Sequence, residues 1–144
     1  MLSPLVAETK LLLSIVMIRM FLLASLLLPA AACGEVAPVV LVLGDSLSAG
    51  YGLPRGSGWV KLLEQRLIDR GYPHRVVNAS VSGDTTAGGL SRLPPLLERL
   101  APEVLIVELG ANDGLRGVSL AEIDANITRL AGLGKESGAR VLIV

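Results

Sequence analysis

The chain has little with which to cross-link itself. It holds one cysteine, Cys33, among 144 residues, which excludes an internal disulfide and any zinc site built from several thiolates. It holds one histidine, His74, so an imidazole can serve at one place only. Aromatic residues make up 3% of the chain against 51% hydrophobic residues, so the core must be aliphatic. The 13 basic and 13 acidic side chains cancel, and no basic block stands out. That balance excludes the electrostatic footprint of a nucleic-acid-binding protein. No internal repeat or low-complexity segment is present.

Residues 1–38 read as a signal peptide and short linker. Met20 to Leu28 is a compact apolar stretch, flanked by Arg19 and followed by Pro29-Ala30-Ala31-Ala32. Small residues at Ala30 and Ala32 fit a signal-peptidase site, with cleavage near Ala32. Met17 or Met20 is an alternative start. Cys33 is also a candidate lipoprotein site, although Ala30 stands where an aliphatic residue is stronger. The competing reading is an uncleaved anchor, because Leu11 to Ala32 reaches the roughly 20 residues a membrane span needs. Arg19 and the small-residue ending favour cleavage. A periplasmic or secreted protein is expected, with its fold in residues 39–144.

Val39-Val40-Leu41-Val42-Leu43-Gly44 reads as a strand buried on both faces. Trp59 to Arg70 carries a helical apolar stripe, closed by Gly71 and Pro73. Val76 to Val81 reads as a second strand. Thr85 or Thr86 caps a short helix, and Pro94-Pro95 restarts it through Leu100. Val104 to Leu109 is a third strand, Leu120 to Gly134 a helix, and Val141 to Val144 the opening of a fourth strand. Alternating strands and helices imply right-handed crossovers and a parallel sheet. A buried strand at the end of such a pattern suggests the N-terminal part of a longer domain.

In a parallel sheet the loops after the first three strands lie at one edge. They carry Gly44-Asp45-Ser46, Ser82-Gly83-Asp84 and Gly110-Ala111-Asn112-Asp113. Acyl transfer needs a nucleophilic oxygen and donors aimed at the developing oxyanion. Ser46 is an oxygen of that kind, and the Gly83 N–H and Asn112 carboxamide are such donors. Each has a plainer explanation as a turn or cap residue. Their recurrence at successive strand ends favours the chemical one.

These blocks resemble the SGNH (GDSL) hydrolases, in particular the bacterial periplasmic branch with acyl-thioesterase, lysophospholipase and arylesterase activity. The resemblance covers residues 39–144 and rests on Gly44 to Gly52, Val77 to Gly89 and Glu108 to Gly117. It implies a flavodoxin-like three-layer α/β/α sandwich. It implies Ser46 as nucleophile, with the Ser46 and Gly83 N–H groups and the Asn112 amide as oxyanion hole. It implies no cofactor and an acyl-ester or lipid substrate, and transient contact with a membrane surface fits that substrate. A monomer is expected. The family's general base and its acid form an Asp-x-x-His pair near the C-terminus, and this sequence contains none. His74 precedes the second strand, roughly 20 Å from the serine along a six-residue strand, so it is expected to be a surface loop residue and not the base.

Two other readings stay open. Asp45, Asp84 and Asp113 reach the same edge and could hold a divalent metal for phosphoryl transfer, with capping and turn formation as their plainer roles. A chain without a base could instead be a non-catalytic acyl-binding module. A dinucleotide site is weaker, because Gly50-Tyr51-Gly52 lacks the third glycine and does not directly follow a strand. Tyr51, Leu53 and Leu115 are apolar loop residues that could line an acyl groove. Arg116 could meet an anionic headgroup, and Glu108 is expected to pair with a basic group.

Overall fold

The computed structural model describes residues 36–144, together with Met17. The expected signal peptide and the candidate lipid site at Cys33 lie outside the described residues. Among the described residues, no helix is long and apolar enough to cross a membrane.

Four parallel strands form one sheet in the order β2-β1-β3-β4. They are β1 (Val39–Gly44), β2 (Arg75–Asn78), β3 (Val104–Glu108) and β4 (Arg140–Ile143). The helices are α1 (Ser46–Ala49), α2 (Trp59–Asp69), α3 (Thr86–Leu100), α4 (Ala111–Leu115) and α5 (Leu120–Glu136). Successive strand residues point to opposite faces, and both faces of β1 are used. Val39, Leu41 and Leu43 join Leu105 and Val107 of β3 beneath Leu93 and Leu97 of α3 and Leu130 of α5. Val40, Val42 and Ile106 pack with Val60 of α2, and Trp59, Leu63 and Leu67 join them. The result is the expected α/β sandwich. Leu41, Leu43, Leu93, Leu105 and Leu130 are wholly buried, each contributing about 1.5–3 kcal/mol by leaving water.

From β1 the chain passes to β2 on one side, and from β2 it crosses back to β3 on the other side of β1. The C-terminal ends of β1 and β3 therefore form a topological switch point, where open α/β sheets bind ligands. At the opposite edge α2 ends in a Schellman motif. The Tyr72 N–H donates to the Leu67 carbonyl at 2.9 Å and the Gly71 N–H to Ile68 at 2.9 Å, with Gly71 in the left-handed region at φ 72°.

Several elements differ from expectation. Strand β2 ends at Asn78, so Ala79 to Val81 already form the loop. The Ala79 and Val81 N–H groups still donate to Val42 and Gly44, at 2.8 and 2.9 Å, which gave that stretch its strand-like pattern. Helix α3 runs unbroken through Pro94 and Pro95. A proline inside a helix removes an amide and crowds the preceding turn. Here both prolines face solvent, while Leu93 and Leu97 on the opposite side are buried and hold the helix to the sheet. Lastly, Ala111 to Leu115 is a short helix and not only a turn.

Candidate active site

The turn after β1 is held by its own acid. Asp45 caps α1, and its Oδ1 accepts the Leu47 N–H at 2.9 Å. Ser46 is then the first residue of a helix, and N–H groups of a first turn have no intrahelical acceptor. Ser46 is partly exposed. Gly44 leaves the room this turn needs, since a Cβ there would stand 2.6 Å from the Ser48 Oγ.

Asn112 comes from α4, which opens after Gly110 at φ 119°, a conformation that favours glycine. Its Nδ2 donates to Asp45 Oδ2 at 2.9 Å. Asp45 is 2% exposed, so its second oxygen orients a carboxamide while the first holds the serine turn. Gly83 lies in the loop after β2 with φ 81°. Its carbonyl accepts Arg116 Nη2 at 3.0 Å, and Arg116 Nη1 also reaches the Asn112 carbonyl at 3.3 Å. The loops bearing Ser46, Gly83 and Asn112 are thus tied to one another by named hydrogen bonds.

A wider polar scaffold supports them. Ser48 donates to Glu108 Oε2 at 2.8 Å, and Asn78 Nδ2 donates to the Ser48 carbonyl at 2.7 Å. Glu108 therefore takes a hydroxyl at the end of β3, and not the basic partner expected for it. Thr86, at the start of α3, donates to Asp113 through its N–H at 2.9 Å and its hydroxyl at 2.6 Å. Asn126 of α5 donates to the Thr86 hydroxyl at 3.0 Å. Buried polar groups need such partners. Nothing local marks Ser48, Asn78 or Asn126 in the sequence, and Thr86 reads there only as a candidate cap, the role that Thr85 takes in the structure.

The three aspartates do not form a metal site. Asp45 serves Leu47 and Asn112, Asp113 serves Thr86, and Asp84 pairs with Arg92. Among the described residues, no three His, Cys, Asp or Glu side chains gather in a way that could hold a metal ion. The metal-dependent reading loses its ligand set, because each carboxylate is spent on a turn, a cap or an ion pair.

The candidate groove residues are all solvent-accessible. Tyr51 and Leu115 stand in solvent, and Leu53 is half exposed. Leu53 lines a cavity of about 250 Å³ with Ser48, Gly50, Arg55 and Asn78. His74 lies before β2, and its Nε2 is 3.4 Å from Glu103 before β3. Both precede their strands, so His74 sits at the edge opposite Ser46. It differs from a surface loop residue in that its side chain is only 16% exposed.

A doubly wound sheet with polar loops converging on its switch point defines an α/β protein with an edge-of-sheet site. Residues 42–144 match the GDSL-like Lipase/Acylhydrolase family model. The chain belongs to that family. Esterase TesA of Pseudomonas aeruginosa is 52% identical over 108 residues, covering 75% of this chain and 54% of that protein. The arylesterase of Vibrio mimicus is 46% identical over 114 residues, 79% and 57% of the two chains. Thioesterase 1/protease 1/lysophospholipase L1 of Escherichia coli K12 is 41% identical over 108 residues, 75% and 50%. The crystal structure of TesA superposes with a TM-score of 0.72 at 52% identity, covering 73% of this chain and 58% of that one. The chain spans about half the length of the curated relatives it matches.

Proposed function

We propose that the whole protein is a serine esterase that hydrolyses carboxylic esters or thioesters of acyl chains through an acyl-enzyme. Ser46 Oγ attacks the carbonyl carbon. The Ser46 N–H, Gly83 N–H and Asn112 Nδ2 receive the oxyanion. One observation carries the reading: Asp45 holds the Asn112 amide at 2.9 Å while capping the helix that Ser46 begins. A serine and a carboxamide donor are thereby fixed to one rigid group, as electrostatic stabilisation of acyl transfer needs. The names of the relatives, an esterase, an arylesterase and a thioesterase/lysophospholipase, support the substrate class.

Ser46 needs a base to take its proton. His74 is the chain's one histidine, and it lies at the other edge, so the base comes from outside these 144 residues. Ser46→Ala in the whole protein, assayed on p-nitrophenyl acyl esters and acyl thioesters, should abolish turnover and leave the melting temperature in place. Retained turnover overturns the assignment. The N-terminal stretch is proposed as an export signal cleaved near Ala32. Finding the intact N-terminus on protein recovered from the periplasm or medium overturns that part.

A further inference from the structure

The loop that carries Gly83 is gripped by a side chain of α3. Arg92, on the second turn of α3, points its guanidinium back under that loop. Its Nη1 donates to the Ala79 carbonyl at 2.7 Å. Its Nε donates to Asp84 Oδ2 at 3.1 Å, and its Nη2 bonds the same oxygen. Asp84 Oδ1 in turn accepts the Thr85 N–H at 3.0 Å. One side chain thus fastens both ends of the segment 79–84, and Gly83 is inside it. The pair is sheltered, with side-chain exposures of 30% for Arg92 and 11% for Asp84. Gly88 faces Asp84 so closely that a Cβ there would collide with its carboxylate.

We propose that Arg92, acting through Asp84, is a positioning residue that aims the Gly83 N–H at the oxyanion, in addition to the direct contact of Arg116 with the Gly83 carbonyl. The proposal rests on the esterase reading above. Gly83 is exposed and takes φ 81°. A glycine in an exposed loop is free to leave that conformation, and a donor that must reorient during reaction loses its advantage. The fork geometry of arginine holds a carboxylate and a carbonyl together. Lysine, a point charge on a flexible stem, cannot reproduce both contacts. Displacements of about 1 Å far from the chemistry can cost on the order of 10²-fold in rate.

The test uses the whole protein with Arg92→Ala, Arg92→Lys, Asp84→Asn and, as a control on the same helix, the exposed Arg99→Ala. Each is read for kcat, KM, melting temperature and inhibition by an alkyl boronic acid, whose tetrahedral adduct places an oxygen in the oxyanion position. Arg92→Ala and Asp84→Asn should lower kcat by roughly 10–100-fold with KM within about threefold. Boronate affinity should fall in parallel, Arg92→Lys should be intermediate, and Arg99→Ala unchanged. A lowered melting temperature with kcat and boronate affinity intact makes the contact merely structural and overturns the proposal. Ser46→Ala separates the two ideas. If that variant still turns over, the esterase reading has failed. If it is dead while the Arg92 and Asp84 variants keep full kcat, only the positioning role has failed.

Discussion

Asn112 Nδ2 donates to Asp45 Oδ2 at 2.9 Å across 67 residues of chain. Asp45 is buried and caps the helix that Ser46 opens. One carboxylate therefore sets the direction of both the serine turn and the carboxamide. The acid of the Gly-Asp-Ser motif is thus a geometric part of the site, spent on the Leu47 N–H and the Asn112 amide.

That relationship predicts a split effect for Asp45→Ala in the whole protein. Loss of the N-cap bond should cost about 1 kcal/mol, read by urea denaturation. Loss of the Asn112 anchor should lower kcat by about 10²-fold, the scale of losing one oxyanion donor, with KM little changed. Asn112→Ala should lower kcat by a similar factor. The double variant should lose far less than the product of the two factors, because both changes disable one device. Full multiplicativity would show that Asp45 acts elsewhere.

The engagement of Asp45, Asp84 and Asp113 with protein donors predicts indifference to metal removal. Extended dialysis of the whole protein against EDTA should leave ester hydrolysis within experimental scatter of the untreated sample. Loss of activity restored by Mg²⁺ or Mn²⁺ would return the three aspartates to consideration as ligands.

The Thr86–Asp113 contact predicts a stability effect with little bearing on the chemistry. Thr86→Val keeps the shape but removes the 2.6 Å hydroxyl donor to a carboxylate that is 1% exposed. Leaving a buried acceptor short of a donor costs about 1–3 kcal/mol, which urea denaturation of the whole protein should register. An unchanged midpoint would mean that another donor replaces the hydroxyl.

Gly134 predicts a packing limit. A Cβ there would meet Val141 Cγ2 at 2.7 Å and Leu105 Cδ2 at 2.8 Å. Overpacking costs about 1–3 kcal/mol, against which alanine gains about 1 kcal/mol of helix propensity. Gly134→Ala should therefore lower the melting temperature, whereas Gly132→Ala, with open space around it, should hold or raise it.

The 144-residue chain alone predicts slow chemistry. With the one histidine at the far edge, it should show at most the roughly 10³–10⁴-fold acceleration that binding and an oxyanion hole retain without a triad. Turnover matching a complete serine esterase would reveal a base among these residues.

Much of this was legible along the chain. Runs such as Val39 to Leu43 and Val104 to Val107 announce strands buried on both faces, because burial on two sides leaves no polar period. Alternation with amphipathic helices dictates parallel strands, and parallel strands send the loops bearing Ser46, Gly83 and Asn112 to one edge. Those inferences need only local pattern and chain connectivity. Which polar groups pair across that edge was not legible. Glu108 looked destined for a cation and found the Ser48 hydroxyl, because α1 folds back over the end of β3. Asp45, Asp84 and Asp113 looked interchangeable as acids, yet one orients a carboxamide, one meets an arginine and one anchors a helix start. Pro94 and Pro95 looked like a helix boundary, and buried leucines on the opposite side of α3 overrode them. Hydrogen-bond partners tens of residues apart depend on the angle at which packed layers meet. The order of residue types does not contain that angle until the layers have formed.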